Sequence, residues 1–280
     1  MDKEKIKEVV RDRYGKLARA GGVDYGTDQV PCCCGPSGIT TTTNSKASCC
    51  GPKDFSAEKM SAIMGYSEED VDSVPEGANM GLGCGNPMAI ASLKPGETVV
   101  DLGSGGGFDC FLAAKEVGGT GKVIGVDMTS DMISRARKNA EKMGTRNVEF
   151  RLGEIEHLPV ADNSADIIMS NCVINLSPDK PSVYRDAYRV LKPGGRLAIT
   201  DIVATAPLPD EIRNDLALLS ACVGGAATIE DTVDMLKQAG FHDIKITPKH
   251  ESRELIRQWA PGKNAGDYIV SAYIEAVKPC

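Results

Sequence analysis

The sequence predicts an α/β fold built on a mostly parallel sheet, and three observations carry that expectation. From Thr98 onward, short apolar runs alternate with segments of helical periodicity, the pattern of βαβ units packed around parallel strands. The first run, 98–102, is followed at once by Gly103-Ser104-Gly105-Gly106-Gly107 and then by a helical stretch. The second, 122–127, ends on Asp127, about 20 residues beyond that glycine loop, where an acid can meet a nucleoside ribose.

The elements follow in order. At 280 residues and 41% apolar, the chain can bury one large core with attached lobes. Ile6, Val9, Val10, Tyr14 and Leu17 fall near helical spacing and predict an opening helix. Residues 1–78 read as an N-terminal lobe, this helix followed by a cysteine-rich stretch. There Cys32-Cys33-Cys34-Gly35-Pro36 and Cys49-Cys50-Gly51-Pro52 bracket a Ser/Thr-rich span, 37–48, without apolar periodicity, which reads as a mobile loop. A nucleotide-type core spans 79–204, with strands expected at 98–102, 122–127, 148–152, 166–170 and 196–201. Helices are expected at 108–117, 131–143 and 183–191. Residues 205–280 read as a C-terminal lobe that lines the substrate site and completes the sheet. In it, Thr228-Ile229-Glu230-Asp231 resembles a capping box opening a helix that runs to Ala239 and stops at Gly240. Two closing strands, 243–247 and 268–277, are expected to pair antiparallel.

Composition narrows the function. A net charge of -7 and a pI near 5.2, with both signs interspersed, speak against a nucleic-acid or anionic-membrane partner and for a small-molecule substrate. The alternating charges of 1–13 are the opposite of a signal peptide, and no apolar run reaches the roughly 18–20 residues that span a bilayer. A cytoplasmic protein is expected, in which the ten cysteines stay mostly as thiols and become candidate ligands or nucleophiles.

Glycines in the 103–107 loop let the backbone turn sharply and approach a ligand, and the next helix offers unpaired N–H groups. A strict dinucleotide fingerprint would need glycine where Phe108 stands, so the nicotinamide pattern fails. Gly153-Glu154-Ile155 follows the third strand, where an adenine would lie, and an acid there supports the one at Asp127. Asp101-Leu102-Gly103-Ser104-Gly105-Gly106-Gly107, Asp127 and Leu191-Lys192-Pro193-Gly194-Gly195-Arg196-Leu197 resemble the landmarks of class I S-adenosylmethionine methyltransferases, over roughly residues 80–203. That resemblance implies a Rossmann-like seven-stranded sheet whose last strand inserts antiparallel. It also implies cofactor contacts from Asp101, Gly103, Gly105, Asp127, Met128, Gly153, Glu154, Ile155 and Asn171.

Three cysteines stand at informative places: Cys84 before the first strand, Cys172 just after the fourth, and Cys222 closing a helical pattern. Cys110 reads as helix packing, since cysteine often serves as a small buried hydrophobe. Gly81-Leu82-Gly83-Cys84-Gly85-Asn86-Pro87, Ser170-Asn171-Cys172 and Ala221-Cys222-Val223-Gly224-Gly225-Ala226 together resemble the arsenite methyltransferases, and the vicinal cysteine runs upstream resemble microbial members. The resemblance implies arsenite or its thiol conjugates as substrate, bound by Cys84, Cys172 and Cys222, with glutathione or a thioredoxin-type protein as reductant. Soft trivalent arsenic favours thiolates over carboxylate or imidazole. Three sulfurs leave its lone pair free to attack a sulfonium methyl group, a reaction that needs positioning rather than a general base. None of the three histidines, His157, His242 and His250, stands in a catalytic motif. Two alternatives remain: methylation of a small organic acceptor such as a quinone precursor, which would require an acid/base group, and soft-metal sequestration without turnover, which would not require the glycine loop. Cys32, Cys33, Cys34, Cys49 and Cys50 admit arsenic loading, thiol exchange or a structural metal, though adjacent cysteines suit tetrahedral zinc poorly. A monomer is expected.

Overall fold

A computed structural model describes residues 2–22, 56–259 and 264–280, so the expectations for Cys32–34 and Cys49–50 lie outside the described residues. Seven strands form one sheet: β1 (Thr98–Leu102), β2 (Lys122–Asp127), β3 (Val148–Leu152), β4 (Ala165–Asn171), β5 (Leu191–Ala204), β6 (His242–Lys249) and β7 (Ile269–Val277). Their order is β3-β2-β1-β4-β5-β7-β6. The first five run parallel, and β7 inserts antiparallel between β5 and β6. Strand order reverses between β1 and β4, which opens a crevice at their carboxyl ends.

The apolar runs are continuous because both faces are covered. Val99, Ile167, Met169 and Ala198 pack under α5 (Phe108–Val117) and α6 (Ser130–Met143) with Phe111, Ala114 and Ile133. Their chain neighbours Val100, Ile168 and Leu197 face the other way, onto Val183 and Ala187 of α7 (Lys180–Val190) and Leu236 of α10 (Ile229–Ala239). Of the remaining helices, α1 (Lys3–Ala20) is capped by Asp2 and closed by Gly21 in the left-handed region, and its buried Ile6 and Val10 lie over the carboxyl edge. The short α2 (Ala57–Met64) and α3 (Glu68–Asp72) lead to α4 (Met88–Ala91). After β5 come α8 (Asp210–Arg213) and α9 (Leu216–Ser220), and α11 (Arg253–Trp259) joins β6 to β7. Among the described residues, no helix is long and apolar enough to cross a membrane.

Several boundaries differ from the sequence reading. Helix α7 begins at Lys180, because Asp179 caps it and Pro181 suits its first turn. Strand β5 extends well beyond 196–201. Leu191 already pairs with Ala165 across a register shift, Gly194 and Gly195 bond the C-terminal tail at Lys278, and the far end runs on to pair Ala204 with Ile269. The expected capping box at α10 is half formed. Thr228 accepts from the Asp231 N–H, while Asp231 takes the Thr228 hydroxyl rather than its backbone N–H. A reciprocal box forms instead at Ser67 and Asp70 of α3.

Candidate active site

Leu102 pairs with Ser170, so the glycine loop after β1 and the Asn171-Cys172 turn after β4 leave adjacent strands at the same level. On the glycine-loop side, Gly105 takes φ +51°, and nothing lies within 4 Å of where a Cβ would stand. Its N–H donates to Asp127 Oδ2 at 3.0 Å, while Thr129 N–H donates to Oδ1 at 2.8 Å. The Asp127 carboxylate is thus aimed by two backbone donors and keeps acceptor capacity for a diol. Asp101 is buried and accepts the Cys110 S–H at 3.1 Å, so Cys110 has a polar partner beyond its packing role. Burial first, then the charges of Asp109 and Asp127, push the Asp101 carboxyl well above the usual range. Asp109 is raised to about 6, chiefly by burial. Ser104 Oγ is buried without a hydrogen-bond partner in the protein. An open glycine cradle, an orphaned hydroxyl and crowded carboxylates fit a ligand that carries both a diol and positive charge, as S-adenosylmethionine does.

Beyond β3, Gly153 N–H bonds the Asp127 carbonyl, Ile155 is buried in the main core, and Met128 packs against the thiol cluster. Two residues expected to face the cofactor also have partners within the protein. Glu154 accepts from Lys7 Nζ at 2.7 Å and from Arg11 at 3.3 Å, because α1 crosses this edge. The Asn171 side chain is taken up by the loop that carries Cys84.

Cys84, Cys172 and Cys222 come from three separate segments and meet in one buried cluster with Ile202, Leu218 and Val223. The Cys84 and Cys172 sulfurs lie within 4.8 Å of one another, and Cys222 Sγ reaches the Cys172 carbonyl at 2.8 Å. The neighbouring Cys222 and Cys84 thiols first, and burial next, push Cys172 well above the ordinary thiol range, while burial raises Cys84. Cys172 and Cys222 both sit at positive φ, +60° and +63°, where a side chain other than glycine or asparagine is uncommon. Such strain persists only when surroundings enforce it. For Cys172 the enforcement is visible: its N–H bonds the Thr200 carbonyl at 2.8 Å, and the Ile174–Leu176 turn beyond it is tied to Asp201. For Cys222, the S–H donates to the Cys172 carbonyl at 2.8 Å. Gly225 lies so close to Asn175 that a Cβ there would collide with its carbonyl oxygen. Gly225→Ala should therefore push the two thiol-bearing turns apart, lowering stability by about 1–3 kcal/mol and weakening arsenite binding. Urea denaturation and arsenite titration read both effects, and an unchanged variant would show that the turns are not locked together.

The sequence did not single out Asp201 or Tyr14. The Asp201 carboxylate lies within 4.8 Å of the Cys84 and Cys172 sulfurs. It accepts from Ile174, Asn175 and Ile202, and burial raises it to about 6. With its lone pairs occupied it braces the Cys172 turn rather than offering a free ligand. Tyr14 of α1 packs against the cluster that holds the thiols, and its pKa is raised by burial and then by Cys222 and Cys172. Its place on the apolar stripe with Val10 was the available signal, but that spacing reads equally as core. All three histidines are exposed.

The methyltransferase-domain family model matches residues 93–240, placing the chain among the methyltransferases. An arsenite methyltransferase of Halobacterium salinarum is 52% identical over 278 residues, covering 99% of this chain and 68% of that protein. One of Aquipseudomonas alcaligenes is 46% identical over 179 residues, 61% of this chain and 51% of that protein. An arsenic(III) S-adenosylmethionine methyltransferase structure from Chlamydomonas reinhardtii superposes with a TM-score of 0.60 at 33% identity, covering 80% of this chain and 73% of that one. The chain belongs to the arsenite methyltransferase family.

Proposed function

We propose that this protein transfers a methyl group from S-adenosylmethionine to trivalent arsenic bound by Cys84, Cys172 and Cys222, giving methylated arsenicals. The observation that carries the reading is the meeting of these three buried thiols, from three chain segments, at the sheet edge where the glycine loop also ends. Arsenite enters by exchange: each thiol forms an As–S bond, and its proton leaves with a hydroxide as water. Neutral thiols, which burial favours at Cys84, suit that exchange. The arsenic lone pair then forms the As–C bond as the sulfonium C–S bond breaks, its electron pair returning to sulfur. No proton leaves the nucleophile, in keeping with exposed histidines and a carboxylate, Asp201, whose lone pairs are all engaged. Asp101, Gly103, Gly105, Asp127, Met128, Gly153, Glu154 and Ile155 are the residues proposed to line the donor site.

Methylation leaves arsenic formally pentavalent, so a two-electron reductant is needed; glutathione or a thioredoxin-type dithiol is the class proposed. A reducing, cytoplasmic setting follows from that need. The proposed monomer rests on a site drawn wholly from one chain. Transfer of radiolabelled methyl from S-adenosylmethionine to arsenite with glutathione present tests the reading, and labelled arsenicals are the expected product. Cofactor binding without transfer to arsenic would point instead to an organic acceptor, and arsenite binding without any turnover to sequestration.

A further inference from the structure

Asn171 makes no single local contact; its amide is the junction of a network between β4, the Cys84 loop and the first turn of α5. Oδ1 accepts from Cys84 N–H at 3.1 Å and from Thr200 Oγ1 at 3.0 Å. Nδ2 donates to the Gly85 carbonyl at 2.8 Å, and its second N–H is shared between Tyr66 Oη at 3.1 Å and Asp109 Oδ2 at 3.3 Å. An amide has two acceptor and two donor sites, so this one is fully engaged within the protein. The loop fits closely on it: a Cβ at Gly83 would stand 3.0 Å from Nδ2. From the other side, Ser271 Oγ of β7 donates to the Cys84 carbonyl at 2.7 Å. Both backbone polar groups of Cys84 are therefore fixed, one by the residue that immediately precedes Cys172.

We propose that Asn171 is a positioning residue of the arsenic site, hanging the Cys84 loop from the tip of β4 so that Cys84 and Cys172 close on one arsenic atom. The proposal rests on the three-thiol reading above and assigns the Asn171 side chain to the substrate rather than to the cofactor. Besides Asn171, the loop is held by Ser271 at the Cys84 carbonyl and by the Asn86 side chain, which donates to the Gly65 carbonyl at 3.0 Å, but of these only Asn171 ties it to the Cys172 strand. Releasing the amide frees Cys84 to swing while Cys172 and Cys222, tied through the Cys172 carbonyl, stay paired. Arsenic then keeps two protein sulfurs and loses the third.

The test is arsenic K-edge X-ray absorption on the arsenite-loaded full chain, with steady-state kinetics and calorimetric titration of S-adenosylmethionine. In Asn171→Ala the As–S coordination from protein should fall from three to two. The KM for arsenite should rise by about tenfold or more, with S-adenosylmethionine affinity within about twofold of wild type. Asn171→Asp retains the acceptor used by Cys84 N–H but sets an oxygen against the Gly85 carbonyl and the Asp109 carboxylate, so its rise in KM should shrink as the pH falls and the new carboxyl takes a proton it can donate. A merely structural role would move cofactor affinity in parallel. Three sulfurs retained in Asn171→Ala with weakened cofactor binding would overturn the proposal and make Asn171 a cofactor residue. Fewer than three sulfurs in the wild type would remove the three-thiol reading itself, and the clamp with it.

Discussion

Cys172→Ser should abolish arsenite methylation, lowering turnover by about 10³-fold or more, while S-adenosylmethionine binds within about twofold of wild type. The thiol lies within 4.8 Å of the Cys84 sulfur, and the carbonyl of the same residue accepts from Cys222 Sγ, so Cys172 links the other two. Serine fits the same volume, and the left-handed backbone at this position is held by Thr200 and the Asp201-braced turn rather than by the sulfur. What changes is the donor atom. A hydroxyl is a hard, weakly acidic ligand for a soft thiophilic centre, so arsenic would rest on two thiols with no third bond to fix its lone pair. Since the reaction depends on aligning that lone pair with the methyl carbon, misplacement near 1 Å already costs about 10²-fold, and loss of a ligand costs more. Radiolabelled methyl transfer, paired with calorimetric titration of the cofactor, separates the outcomes. Parallel loss of cofactor affinity would mark Cys172 as structural, and residual turnover near wild type would remove it from the arsenic site.

Much of this architecture was legible because short-range rules suffice for it. Strands β1, β2 and β3 and helix α5 begin and end where apolar runs meet glycine or charged residues. The antiparallel insertion of β7 was expected from the methyltransferase resemblance and from the two closing apolar runs, and β7 indeed pairs antiparallel with both β5 and β6. The site was legible only as three cysteines at loop positions. What joins them is long-range: the reach of α1 to place Tyr14 against Cys172 and Cys222, the Asp201 brace and the Asn171 clamp. None of these roles has a local signature, since Tyr14 fits a helical apolar stripe, Asp201 sits mid-strand and Asn171 was expected to face the cofactor rather than the Cys84 loop. Glu154 shows the converse. It stands where an adenine-facing acid was expected, yet its salt bridges to Lys7 and Arg11 depend on a helix about 145 residues away in sequence.

Asp127→Ala should weaken S-adenosylmethionine binding by about 10²- to 10³-fold, because two charge-assisted hydrogen bonds of about 1.5–3 kcal/mol each are removed, discounted for the partial exposure of the carboxylate. Asp127 also receives the Gly105 and Thr129 N–H groups and so pins the glycine loop against the start of α6. The alanine variant alone therefore cannot separate direct contact from loop collapse. A double-mutant cycle on ligand and protein can. S-adenosylhomocysteine and its 2′-deoxy counterpart are each titrated against wild type and Asp127→Ala. If the carboxylate accepts the ribose hydroxyls, wild type should discriminate between the two by about tenfold or more and the variant by no more than about twofold. Equal discrimination by both proteins would leave the loss of affinity intact but move its cause to the Gly105 tether, and Asp127 would hold the cradle without touching the cofactor.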